Sequence, residues 1–153
     1  GATRFNRNIS KWDVSSVEDM KCMFMDAKNF NGEIGKWNVS SVYRMERMFC
    51  GAEKFNQDIS GWDVSGVFSM ERMFDGAINF NQDISGWDVS SVENMELMFY
   101  GAEKFNQDVS GWNMGKVYMY SGMLDCTSFE YDISHWEELY GIDTTILLDY
   151  GES

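Results

Sequence analysis

Apolar residues recur along this chain at a fixed interval of 25 positions. Aligned on Phe5, Phe30, Phe55, Phe80 and Phe105, the units superimpose column by column, and the last, beginning at Phe129, follows a unit one residue shorter. All six Trp fall in one column, Trp12, Trp37, Trp62, Trp87, Trp112 and Trp136. Ile9, Ile34, Ile59, Ile84, Val109 and Ile133 make another, and nine of the twelve Met share two more. Repetition at this period is the mark of a stacked array, in which each unit buries its apolar face only against its neighbours.

Within one unit, the alternation Trp87–Asp88–Val89 predicts a short strand with both apolar side chains on one side. From Val92 the spacing becomes Val92, Met95, Met98, Phe99, Ala102, which predicts a helix of about ten residues. Ser90 with Glu93 three residues later reads as a capping box, and Gly101 as the C-terminal stop. Strands stacked in parallel about 4.8 Å apart, joined by right-handed crossovers, give an α/β solenoid with a parallel sheet on one side and short helices on the other. The expected organisation is one domain over residues 1–153. Residues 1–4 read as the tail of a truncated upstream repeat, so that the chain is expected to be a piece of a longer array or to dock its first face on another body. Residues 137–153, where the columns fade, read as a C-terminal cap.

The spacing of Ile84, Trp87, Val89, Val92 and Met95 resembles a leucine-rich repeat of the cysteine-containing type, with Val in place of Cys. The phrase FNQDISGWDVSSVENMELMFYGA (Phe80–Ala102) resembles more closely the 25/26-residue bacterial surface protein repeat of BspA-type proteins and mycoplasma surface lipoproteins. That resemblance implies a leucine-rich-repeat-like solenoid, display at the cell surface or outside the cell, and roles in adhesion or host interaction without catalytic residues.

Composition narrows the partners. The net charge of −13 repels phosphate backbones and anionic membranes, so neither nucleic acid nor direct membrane insertion is expected. The hydrophobic share of 44% supports a real core. Cys22, Cys50 and Cys126 stand at non-equivalent places and form no CxxC pair, which argues against a disulfide framework or a zinc site. With His135 as the only histidine, a histidine-based triad or metal cluster is not expected.

Four features carry candidate chemistry. Asp83 with Asp88, and their equivalents Asp58 with Asp63, could pass for a carboxylate pair. The same pair recurs in unit after unit without a unique helper, whereas catalysis needs one asymmetric constellation. The column after Trp, with Asp13, Asp63 and Asp88, would stack like charges about 5 Å apart, a repulsion of roughly 0.8 kcal/mol that calcium would relieve. Asn38 and Asn113 interrupt it, and the alternative is hydrogen bonding to the neighbouring serines. The other acidic column, Glu33, Asp58, Asp83, Asp108 and Asp132, follows a column of Asn expected to bind loop backbone. The fourth feature is an interaction surface: Asp63, Asp88 and Ser90 on the polar strip, and Tyr43, Phe68 and Tyr118 in a variable outward column whose alternative is partial burial between helices. The expectation is a non-enzymatic scaffold for a protein partner or surface adhesion. The alternatives are an accessory subunit of a larger assembly, or a cation- or glycan-binding module built on the Asp ladder.

Overall fold

The structure is a computed structural model that describes residues 2–148; Gly1 and the last five residues of the expected cap lie outside that range. The units stack as the columns require, but the backbone does it differently from the expectation. Among the described residues there is no sheet: parallel pairing is confined to isolated bridges, Asp19 to Arg44, Arg44 to Ser69, Ser69 to Asn94 and Asn94 to Met119. These bridges fall at the start of the segment expected to be helical. The only helices among the described residues are α1 (His135–Tyr140) and the 3-10 helix η1 (Thr144–Leu147), both near the C-terminus. The α/β solenoid with a parallel sheet and repeat helices is therefore corrected to a stack of turn-built units.

The hydrogen bonds give the physical reason. The N–H groups of Met95, Leu97, Phe99 and Gly101 donate to the carbonyls of Met119, Ser121, Met123 and Asp125 in the next unit, at 2.7, 3.0, 2.9 and 3.1 Å. Helical bonding would satisfy those groups inside the segment and leave nothing to join the units. Between them the chain closes four-residue turns, Met98 N–H to Met95 O at 3.1 Å and Ala102 N–H to Phe99 O at 2.9 Å. Leu97 (φ 54°) and Gly101 (φ 68°) sit in the left-handed region, which interrupts both helix and strand. The same pair of positions is left-handed in the preceding units, at Cys22 and Asp26, Arg47 and Gly51, Arg72 and Gly76. Gly101 thus serves a recurring turn and caps no helix.

The segment expected as a strand is also turned. Trp87 N–H reaches Ile84 O at 3.1 Å, and Val92 N–H reaches Val89 O at 2.9 Å. Here the indoles tie the units together: Trp37, Trp62, Trp87 and Trp112 donate Nε1–H to Ile9, Ile34, Ile59 and Ile84 carbonyls at 3.0–3.1 Å. A second tie runs through asparagine. Asn31, Asn56, Asn81 and Asn106 each donate the backbone N–H to Oδ1 of the Asn one unit earlier, at 2.9–3.1 Å.

The core follows the sequence columns closely. Val92, Met95, Met98, Phe99 and Ala102 are all fully buried. Two Phe columns interleave along the stack, with ring centroids 4.0 Å apart between the columns (Phe74 and Phe80) and 5.5 Å along one of them (Phe74 and Phe99). At the C-terminal end η1 supplies acceptors for the last full unit, Ile146 O to Gly122 N–H and Leu147 O to Leu124 N–H, both at 2.8 Å. Trp136 and Leu147, a residue of η1, are both buried. At the other end Trp12 is 55% exposed, whereas Trp37 is 4% exposed.

Phe74, with no exposed surface, contacts the ring of Phe49 in the unit before and those of Phe80 and Phe99 in the unit after. Phe74→Ala is expected to cost about 3–5 kcal/mol. Urea unfolding monitored by Trp fluorescence measures it; a loss under 1 kcal/mol would show that the stack closes over the cavity.

Candidate functional site

The aspartates come first, because the sequence singles them out. Each accepts two hydrogen bonds from the serine two residues later. Asp13 takes the Ser15 N–H at 3.0 Å and hydroxyl at 2.6 Å; Asp63 takes those of Ser65 at 3.1 and 2.6 Å; Asp88 takes those of Ser90 at 3.0 and 2.5 Å. Asp58 and Asp83 do the same with Ser60 and Ser85. These are Asx turns, the local closure that short acidic and amide side chains provide. Ser90 is therefore a turn donor, with its hydroxyl turned to Asp88 instead of capping a helix. Asp83 and Asp88 each face their own serine. Among the described residues no three acidic, His or Cys side chains are grouped to hold a metal ion. Asn38 makes the turn with Ser40 at 3.1 and 2.6 Å, matching Asp63, so the closure does not need the charge.

The interaction residues fall on two different structural columns. Tyr43 and Phe68 lie on a ladder in which each residue's N–H donates to the carbonyl one unit earlier: Tyr43 to Glu18 at 2.9 Å, Phe68 to Tyr43 at 3.1 Å, Glu93 to Phe68 at 2.8 Å, Tyr118 to Glu93 at 3.0 Å. The Tyr43 and Phe68 rings stack at 5.9 Å with 13° between their planes. They are 40% and 41% exposed, so the expected shelter between helices is absent. Tyr118, 67% exposed, is separated from the pair by Glu93. The ladder thus presents an aromatic pair with an exposed carboxylate on either side, Glu18 and Glu93.

Near the pair lies a cluster the sequence did not single out. Arg44 bonds Glu46 at 3.1 Å and Asp19 at 3.5 Å, and Glu46 is 7% exposed with its Oε2 unpartnered. The Glu46 bond and charge raise the Arg44 pKa above its ordinary value. The signal was present: Lys21, Glu46, Glu71 and Glu96 share one column. Cys22, Cys50 and Cys126 are free thiols, and burial pushes Cys50 up to about 11, away from thiolate reactivity at neutral pH.

The geometry is that of a repeat protein in which units tie to units and the exposed columns carry what varies. The chain belongs to the family described as Mycoplasma protein of unknown function, DUF285, which it matches over residues 1–70 and 58–143. The resemblance to bacterial surface repeats holds at that coarser level. No curated protein matches the chain, and no solved structure does.

Two outcomes test the turn assignment. Asp13, Asp58, Asp63, Asp83, Asp88, Asp108, Asp132 and Asp143 are all held below the ordinary carboxylate value of 3.8, first by the hydroxyl or N–H bonds of their turns. A depressed folded-state pKa adds stability that is present above the unfolded value and lost as pH falls through the folded one. Partly buried Asp75, raised by desolvation, acts in the opposite sense but is single. The melting temperature is expected to drop between pH 5 and pH 3; an unchanged or higher value at pH 3 contradicts the turns' contribution. At pH 7, Asp63→Asn with Asp88→Asn should leave the melting temperature within about 2 °C, since ΔΔG under 0.5 kcal/mol moves it little. A larger fall would show that the charge itself is used.

Proposed function

We propose that this chain is a non-enzymatic repeat scaffold that binds a protein partner through the stacked Tyr43–Phe68 pair, with display at the cell surface or outside the cell. The observation that carries the reading is the pair itself: two aromatic rings, each about two-fifths exposed, stacked on each other and fixed by a backbone ladder. Aromatic side chains held this rigidly supply contact area at little entropic cost, and such residues are enriched at interfaces. The carboxylates of Glu18 and Glu93 on the adjoining units favour a partner with basic groups beside its apolar contact. Membership in a repeat family is consistent with a scaffold role.

Photo-crosslinking tests the reading. A photoreactive side chain at position 68, in the cell that makes the protein, should trap one discrete protein partner, and the same group at position 88 should not. Tyr43→Ser with Phe68→Ser should then weaken that partner's binding about 30-fold, the loss of a central aromatic contact, with the melting temperature nearly unchanged. No adduct at 68, or equal affinity in the double variant, overturns the reading.

A further inference from the structure

One unit breaks the turn pattern. In the units around it, an Asn or Asp two residues earlier accepts the N–H of Ser10, Ser60, Ser85, Ser110 and Ser134 at 2.9–3.0 Å. The second unit has Glu33 and Gly35 at those places. The extra methylene of Glu does not suit the short side-chain ring that closes such a turn. Accordingly the Gly35 N–H makes no hydrogen bond among the described residues. A Cβ at Gly35 would lie 2.2 Å from the Asp58 carbonyl oxygen, so this spot excludes a side chain.

The vacated turn opens into a groove of about 690 Å³ whose lining includes Lys11, Glu33, Gly35, Lys36, Gln57 and Asp58. Lys11 and Lys36 share one column, and neither forms an ion pair among the described residues. Later units carry Gly61, Gly86 and Gly111 in that column, which confines the arrangement to one place on the stack. Its surroundings are also less acidic than the chain as a whole: residues 1–50 hold eight of the twelve Lys and Arg but six of the twenty-five Asp and Glu.

We propose that this groove is a carboxylate-binding site that takes an Asp or Glu side chain of an acidic peptide segment on the Gly35 N–H, between Lys11 and Lys36. The neighbouring units show what belongs there, since a side-chain oxygen of Asp or Asn occupies the equivalent place in each. Two ammonium groups offset the charge of an incoming carboxylate, and a charge-assisted bond to a free N–H is among the stronger polar contacts. The groove's own carboxylates do not fill the place. Asp58 is held by the Ser60 N–H and hydroxyl. Glu33 makes no hydrogen bond and is exposed, so it accepts from backbone amides of the bound segment. That an Asp or Asn side chain of polypeptide fills the equivalent place in each of the other units favours a peptide over a uronic-acid sugar. The site is independent of the aromatic pair and does not rest on its role.

An amide-resolved NMR titration of the labelled protein tests this with a capped tri-aspartate peptide, its tri-asparagine counterpart and trigalacturonate. The expected result is a saturable shift of the Gly35 amide with the aspartate peptide and none with the asparagine peptide. Glu33→Asp keeps the charge but shortens the side chain so that it closes the turn itself, as Asn113 does onto the Gly115 N–H at 3.0 Å. It should weaken binding by about tenfold or more, as should Lys11→Gln with Lys36→Gln, while the remaining amide spectrum stays in place. No saturable Gly35 shift, an equal response to the asparagine peptide, or undiminished binding by Glu33→Asp overturns the site. A response to trigalacturonate as strong as the peptide's overturns the assignment to an acidic peptide.

Discussion

The structure depends on one requirement: along a seven-residue stretch of each unit, every second backbone N–H points up the stack and must meet a carbonyl one unit away. Met70, Arg72, Phe74 and Gly76 meet it through Asn94, Glu96, Met98 and Tyr100 at 2.7–2.9 Å. The constant spacing of that stretch follows, because a residue gained or lost within it would misplace those acceptors; the one shortened unit loses its residue beyond it. The left-handed residues follow as well, since they aim alternate peptide groups along the axis while the others close local turns. The side chains inherit the result. Phe falls over Phe and Met over Met, and the core is continuous without any layer of regular secondary structure.

Much of this was legible in the columns, and the part that was not has a definite cause. Burial of Val92, Met95, Met98, Phe99 and Ala102 was readable, because apolar spacing reports which side chains face inward. It does not report where the N–H groups go, and a run of four-residue turns produces the same spacing as a helix. Leu97 and Arg72 adopt positive φ without a glycine to announce it, so the one visible signal, Gly101, suggested a helix cap. For the aspartates, the serine two residues on was visible as a hydrogen-bond partner and was set beside the cation reading. Tyr43 and Phe68 were visible as outward positions, but their exposure followed only once the neighbouring helices were gone.

The candidate sites are departures from the repeat. Where the pattern is kept, polar side chains are consumed by turns and ladders, as with Asp88 on Ser90 or Asn56 on Asn81. Where it varies or breaks, groups are released: two stacked aromatic rings in a column that also carries Glu18, Glu93 and Tyr118, and a Glu–Gly pair where a turn would close. A rigid frame makes such departures usable, because neighbouring units hold the freed group in place at no further entropic cost.

The indole tie between units has a genetic counterpart. Each Trp from Trp37 to Trp112 reaches the carbonyl 28 residues back, and the last unit, which follows a unit one residue shorter, instead sends Trp136 to Ser110 O at 3.1 Å. The interior joints are interchangeable, so a gene that gains or loses one whole unit by recombination between its near-identical segments still encodes a stack with every joint intact. The number of units is therefore free to drift between lineages, while the length of each unit is not.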